Sequence, residues 1–131
     1  LAASGAFELY LTGGKTINVE WRIFAEVINS QLTNMNIPED RLLGHRFLSD
    51  HELVSENARQ AIKGKLLMYL WDDVLRHGKR HHIFRAEING ETIGSFGKLI
   101  NKFEANECIF VEAIEEKLIA STHTSVPYAP D

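Results

Sequence analysis

The chain has 131 residues, of which 44% are hydrophobic and 24% are charged, and its formal net charge is −4. This size and balance predict one globular domain with a single core rather than two folding units. The acidic balance argues against a dedicated nucleic-acid-binding domain, because such domains usually carry a basic excess. The lone cysteine, Cys108, excludes an internal disulfide and fits a reducing compartment. We expect Cys108 to be a small core residue.

The apolar runs and the chain ends bear on localisation and domain limits. No apolar run reaches the ~18 residues that span a bilayer, and no charged segment followed by an apolar one opens the chain. We therefore expect a cytoplasmic protein that does not contact a membrane. Because the chain begins with Leu1 rather than methionine, we expect residues 1–16 to be a linker or a remnant of a longer polypeptide. Residues 17–120 are expected to fold, and residues 121–131 to form a flexible tail.

The first periodic segment runs from Asn18 to Thr33. Its apolar residues recur at intervals of three and four, with polar residues between them: Val19, Ile23, Phe24, Val27, Ile28 and Leu32. This spacing predicts an amphipathic helix with Asn18 as its N-cap. Residues 38–50 (PEDRLLGHRFLSD) show neither helical nor strand periodicity. They are expected to form an ordered loop with at most a short turn of helix.

The second predicted helix has the strongest pattern of the chain. Two adjacent apolar rows run along it, one of Ala58, Ile62, Leu66, Leu70 and Val74 and the other of Leu67, Trp71 and Leu75. Ser55 is a candidate N-cap, and Gly78 provides the C-terminal stop. The wide apolar face predicts a central core helix.

The remaining segments predict a hairpin and two shorter helices. Asn89-Gly90 stands between two short runs, which is typical of a two-residue hairpin turn. A third helix is predicted by Phe96, Leu99, Ile100 and Phe103, and a fourth, ending near Ser121, by Phe110, Ile114 and Leu118. The predicted fold is mostly α, a small bundle of about four helices with one short β-hairpin.

Residues 12–16 (TGGKT) resemble the end of a phosphate-binding loop, and residues 7–11 before them are a candidate strand. A P-loop requires a further glycine at the position that Leu9 holds here, because that glycine opens the cradle of backbone N–H groups. We therefore interpret the segment as a tight turn ahead of a helix.

An acidic pair, Asp72-Asp73, follows an apolar run and so imitates the strand that positions Mg²⁺ in nucleotide hydrolases. The helical period continues through it, so we expect both carboxylates to be solvated on a helix. Asp50-His51-Glu52 lacks the second histidine of a zinc signature. We expect no metal site in either segment.

Histidines and cations are concentrated in the basic stretch, residues 76–85 (RHGKRHHIFR). The positive charges around His77, His81 and His82 disfavour binding of a further cation. Two interpretations stay open: a helix C-terminus followed by a solvated loop, and a local contact with phosphate or an acidic partner.

Residues 39–48 (EDRLLGHRFL) fit neither packing nor periodicity. The segment resembles one in the lid of McrB-type AAA+ motor subunits, which reads acid or base, variable, apolar, Gly-His, variable, aromatic, apolar. In that family it follows a helix with an isoleucine-asparagine pair, here Ile28-Asn29, and precedes a helix similar to residues 63–75 (KGKLLMYLWDDVL). The resemblance extends over residues 17–118.

The resemblance implies an AAA+ lid, a helical domain that folds over the nucleotide held by a preceding α/β domain. The positions that match its sensing segment, and that are expected to face nucleotide, are Asp40, Arg41, Gly44, His45 and Arg46. Glycine lets backbone approach a ligand closely, while arginine or histidine can donate to phosphate oxygens. An alternative stays open, in which Asp40 and Arg41 cap a turn and His45 is a hydrogen-bonded core residue.

The resemblance also implies partners and a division of labour. The chain alone holds no cofactor and no catalytic residue, and GTP or ATP with Mg²⁺ would be bound by the parent protein. The implied partners are the upstream α/β NTPase domain, neighbouring subunits of a ring and a McrC-like nuclease subunit, with DNA contacted only indirectly. The implied role is in DNA restriction or defence. A rival hypothesis is a free-standing helical adaptor that binds a protein or nucleic acid through the basic stretch.

Overall fold

The first element of the described residues is a β-hairpin. The computed structural model describes residues 6–44, 47–49, 52–53, 55–76 and 78–125. Strand β1 (Ala6–Tyr10) pairs antiparallel with β2 (Thr16–Glu20). A 3-10 turn over Thr12–Gly14 joins them, and its two glycines adopt φ angles of 84° and 80°. Glycine suits this left-handed backbone because it has no Cβ to clash.

This hairpin corrects two expectations from the sequence. Residues 6–16 are part of the fold and not a linker, since Phe7 and Leu9 are each only 4% exposed. Asn18 lies within β2, opposite Glu8, and does not cap a helix. Residues 16–20 (TINVE) alternate polar and β-branched side chains, a pattern that suits a half-buried strand. Because residues 16–20 pair with β1 as a strand, the first helix begins only at Trp21.

Helix α1 (Trp21–Asn34) follows directly, and a 3-10 turn at Glu39–Arg41 leads from it towards the next helix. That next element begins as α2 (Ser55–Ala61) and continues as two π-helical segments, Ile62–Leu67 and Tyr69–Val74. We call these three segments together the central helix. The predicted core helix is thus confirmed, but much of it has the wider π register.

The C-terminal half matches the predicted elements closely. Strands β3 (Glu87–Ile88) and β4 (Glu91–Thr92) form the expected hairpin. Helix α3 (Phe96–Glu104) follows, and α4 (Glu112–Ser125) extends beyond the expected end. The Asn89-Gly90 turn has positive φ at both residues, 50° and 80°, as a type I′ turn requires. Of the predicted tail, residues 126–131 lie outside the described residues.

One core joins the first hairpin, α1, the central helix and α4. At its centre the Phe24 ring meets Phe7 at 5.3 Å and Phe110 at 5.6 Å, both edge to face, and Phe110 meets Phe84 at 5.7 Å. Trp71 of the central helix contacts Phe84 at 5.9 Å. The described residues therefore form a small, mostly α domain with two short antiparallel sheets. Among them, no helix has both the length and the apolarity needed to cross a membrane.

Candidate functional site

The Asn29 side chain of α1 anchors the candidate loop, residues 38–44, through two hydrogen bonds. Asn29 Nδ2 donates a hydrogen bond to the Leu43 carbonyl at 2.8 Å, and the Leu43 N–H donates to Asn29 Oδ1 at 2.8 Å. The amide thus pairs with the loop backbone as a neighbouring strand would. Because Leu43 itself is buried, these two hydrogen bonds fix the loop where it meets the core.

Aromatic side chains hold the same loop at two further points. Trp21 Nε1 donates to the Gly44 carbonyl at 3.3 Å, and the Tyr69 hydroxyl donates to the Arg41 carbonyl at 3.0 Å. Phe47 packs between these rings, 6.2 Å from Trp21 and 5.0 Å from Tyr69. Burial raises the pKa of Tyr69, and the nearby Asp73 carboxylate adds to the increase. The hydroxyl therefore remains a protonated donor at neutral pH.

The outer face of the candidate loop exposes charge. Asp40 and Arg41 are both exposed. They line an open pocket together with Tyr69 and Asp73 of the central helix and with Arg76, which follows that helix. Arg41 Nη1 lies 3.4 Å from the backbone carbonyl of Asp73, to which it donates. Within the described residues, neither Arg41 nor Arg76 forms an ion pair. Both guanidinium groups are thus accessible donors for an anionic ligand.

The structure brings together part of the site expected from the sequence. Asp40 and Arg41 share the pocket, and no side-chain hydrogen bond caps the turn that contains them. Gly44 is exposed, and a Cβ added there meets no atom of the described residues within 4 Å, its two chain neighbours aside. Packing against the described residues therefore does not require glycine at this position. His45 and Arg46 lie outside the described residues.

Sequence reasoning missed the contribution of the helix to this pocket. Tyr69, Asp73 and Arg76 stand at intervals of four and three residues, which place side chains on one face of a helix. The spacing alone could therefore have predicted that these three side chains lie on the same surface. The expectation that Asp72 and Asp73 are solvated is confirmed, since both are exposed.

Three cations of the basic stretch donate hydrogen bonds to other groups of the protein. Lys79 Nζ donates to the Met35 carbonyl at 3.2 Å. Arg80 Nε donates to the Trp71 carbonyl at 2.8 Å, and its guanidinium carbon lies 4.5 Å from the centre of the Trp71 ring. Arg85 is held by an acidic side chain of α4. The stretch is therefore not a uniformly free basic surface.

That acidic side chain, Glu115, is the centre of a network that the sequence did not reveal. Glu115 is 8% exposed and accepts from the Thr12 N–H at 2.9 Å, the Thr12 hydroxyl at 3.0 Å and Arg85 Nη2 at 2.7 Å. These bonds fasten the turn of the first hairpin to α4. Cys108 lies beside Arg85, and burial raises the pKa of its thiol. Its buried position and raised pKa make Cys108 a poor nucleophile.

Metal-binding side chains do not converge in the described part of the chain. No three His, Cys, Asp or Glu residues there are grouped as a metal ion would need. Asp50 and His51 of the incomplete zinc signature, and His77 of the basic stretch, lie outside the described residues.

Comparison with known proteins gives one informative match. The chain is 33% identical over 103 residues, or 79% of its length, to the type II restriction enzyme BsuMI component YdiS of Bacillus subtilis strain 168. The matched segment is 27% of that protein, so the chain spans about a quarter of the length of this relative. No protein-family model and no solved structure matches the chain. The chain is therefore similar to part of a restriction enzyme component.

Proposed function

We propose that the chain is the C-terminal lid domain of a McrB-like AAA+ GTPase or ATPase in a DNA restriction or defence system. It contributes to nucleotide sensing and ring assembly and is not catalytic alone. Three findings support the proposal: the similarity to a restriction enzyme component, the mostly α fold and the segment that resembles the McrB-type lid. The fold alone would not suffice, because one architecture hosts many functions.

The observation that carries the proposal is the contrast within the candidate loop. Its backbone is fixed by Tyr69 at Arg41, by Asn29 at Leu43 and by Trp21 at Gly44. Its Arg41 side chain is nevertheless exposed and has no carboxylate partner among the described residues. A charge donor held ready on a rigid support is what stabilisation of a phosphate requires.

The proposal assigns the reaction to other parts of the assembly. A preceding α/β domain holds GTP or ATP with Mg²⁺, and Asp40, Arg41, Gly44, His45 and Arg46 face the nucleotide from the lid. Neighbouring subunits complete a ring, a McrC-like nuclease cuts the DNA, and the lid contacts DNA only indirectly. The assembly would work in the cytoplasm.

The rival proposal, a free-standing adaptor that binds through the basic stretch, has less support. A binding surface for an acidic partner needs cations that are free to reach it. Of the cations in the described part of the stretch, Lys79, Arg80 and Arg85 donate to groups of the chain itself, which leaves Arg76 as the exposed cation without an ion pair.

Nucleotide turnover by the parent protein tests the proposal. We expect Arg41→Ala to lower hydrolysis by about tenfold to a thousandfold, the range seen when one charge-stabilising donor is removed. The matched control is Arg22→Ala, because Arg22 is also an exposed arginine but pairs with a carboxylate, that of Glu20 at 3.5 Å. The unfolding free energy should change by less than about 1 kcal/mol in both variants. Full turnover by Arg41→Ala would contradict the sensing role.

A further inference from the structure

The turn of the second hairpin, between β3 and β4, consists of an asparagine followed by a glycine. Asn89 and Gly90 are both exposed. Glycine has no Cβ, so no side chain on Gly90 shields its nitrogen from the Asn89 side chain. The Gly90 N–H donates to no backbone carbonyl of the described residues. This nitrogen is therefore free to react with the side chain that precedes it.

The side-chain amide of Asn89 is held by a carboxylate. Its Nδ2 donates to Oε1 of Glu107 at 2.6 Å and to Oε2 at 2.7 Å. Glu107 is itself fixed at the end of α3, because its N–H donates to the Lys102 carbonyl at 3.1 Å. Hydrogen bonds to a charged group are stronger than those between neutral groups. We call this contact the Asn89–Glu107 clasp, since it joins the second hairpin to the end of α3.

We propose that Asn89 is a site of spontaneous deamidation, that Glu107 slows the reaction, and that the product releases the second hairpin from the end of α3. The reaction needs only water. The Gly90 nitrogen loses its proton to solvent and attacks Cγ of Asn89, and the bond between Cγ and Nδ2 breaks. The amide nitrogen leaves as ammonia after it takes up a proton from solvent. Water then opens the cyclic imide at either carbonyl, which gives an aspartate or an isoaspartate.

The clasp opposes this reaction in two ways. The nitrogen that must leave is the one that Glu107 holds, so both hydrogen bonds are lost when ammonia departs. The Glu107 carboxylate also disfavours the negative charge that forms on the attacking nitrogen, because like charges repel. The clasp therefore protects the amide for as long as it stays closed.

The product turns an attractive contact into a repulsive one. A carboxylate at position 89 has no donor to offer Glu107, and two carboxylates at hydrogen-bonding distance repel each other. The cations nearest in sequence, Arg85 and Lys98, are already paired with Glu115 and Glu91. We therefore expect the second hairpin to separate from the end of α3. This inference does not depend on the proposed function.

Peptide mass spectrometry of the aged chain tests the site. After incubation in mildly alkaline buffer, trypsin releases residues 86–98, with Asn89 as their one asparagine, and residues 103–117, with Asn106 as theirs. Asn106 is the internal control, because it is exposed and has positive φ, as Asn89 does, but is followed by a glutamate. We expect the mass shift of deamidation, with both aspartate and isoaspartate products, in the first peptide and not in the second. An Asn89 that stays as intact as Asn106 would overturn the inference.

Two substitutions at Glu107 test the protection. We expect Glu107→Ala to speed loss of the Asn89 amide by about tenfold or more, since it removes two hydrogen bonds to a charged group. Glu107→Gln keeps the size of the side chain without its charge and should speed the loss by a smaller factor. The matched control is Glu87→Ala, which removes an exposed glutamate of the same hairpin that forms no ion pair in the described part of the chain. Its rate should stay within about twofold of wild type. Glu107 variants that react no faster than this control would overturn the protective role.

Asn89→Asp reproduces the aspartate product in every molecule and tests the release. We expect amide exchange of Ile93, whose N–H donates to the Ala86 carbonyl at 2.8 Å within the hairpin, to rise by about tenfold. Adding Glu107→Gln should restore the wild-type rate, because the glutamine amide can donate to the new carboxylate. Exchange at the wild-type rate in Asn89→Asp would overturn the release of the hairpin. So would faster exchange that Glu107→Gln does not reverse.

Discussion

Replacing Asn29 with alanine removes two of the three hydrogen bonds that hold the candidate loop to α1 and leaves the one from Trp21 Nε1 to the Gly44 carbonyl. The substitution leaves the N–H and the carbonyl of Leu43 without partners. Leu43 is 5% exposed, so water cannot readily replace the lost bonds. A buried polar group left unpaired costs about 1–3 kcal/mol. Alanine also favours the helix by a few tenths of a kcal/mol, which offsets little. We therefore expect a net loss of about 2–4 kcal/mol in the free energy of unfolding.

Urea denaturation monitored by circular dichroism measures this loss. The slope of the unfolding free energy against urea concentration checks that each variant unfolds in the same way as the wild type. Asn101→Ala is the matched control, because Asn101 is an exposed asparagine within helix α3. We expect the control to shift stability by no more than about 0.5 kcal/mol. A loss for Asn29→Ala that is no larger than the control would refute the double hydrogen bond as the anchor of the loop.

Three further predictions concern the hydrophobic core, the hydrogen bonds of Glu115 and the incomplete phosphate-binding loop at residues 12–16. Leu70→Ala should lower the unfolding free energy by about 2–5 kcal/mol, since Leu70 is fully buried in the central helix; an unchanged urea midpoint would contradict its place in the core. Glu115→Gln should cost about 1–3 kcal/mol in the same assay, because Arg85 loses its ionic partner but stays partly exposed. The chain alone should bind ATP and GTP no better than millimolar in calorimetric titration, and a micromolar constant would contradict this.

The helices of this fold were predictable because each buries a stripe of apolar residues. The clearest case is the central helix, where Leu66-Leu67, Leu70-Trp71 and Val74-Leu75 recur as buried pairs every four residues. Residues four positions apart share one face of an ordinary α-helix as well, so this spacing is compatible with both registers. Counting apolar positions established the helix but did not distinguish its register.

The first hairpin could not be separated from α1 by local pattern alone. Val19 and Ile23 continue the helical spacing backwards, while Ile17 and Val19 also alternate as a strand does. The choice depends on β1, because Val19 pairs with Phe7 across the sheet. Such tertiary pairing overrides local propensity.

Side-chain contacts between distant segments were beyond sequence reasoning. Thr12 and Glu115 are 103 residues apart in the chain, and Tyr69 reaches Arg41 across 28 residues. The segment that resembles the McrB-type lid pointed to Arg41, but its neighbours in space became visible only in the structure. Asn29 was noted for its family pairing with Ile28, and its role as the anchor of the loop required the fold.

Hydrogen exchange of the candidate loop in the parent protein tests the central claim most directly. The amides of Leu42 and Gly44 adjoin the face that is proposed to meet nucleotide, and the Leu43 amide, already bonded to Asn29, is an internal reference. We expect a non-hydrolysable GTP or ATP analogue with Mg²⁺ to slow exchange of the Leu42 and Gly44 amides by about tenfold or more, while exchange of the Leu43 amide and around the Asn89-Gly90 turn stays unchanged. Saturating nucleotide that leaves exchange in the loop unaltered would contradict the claim that this segment senses it.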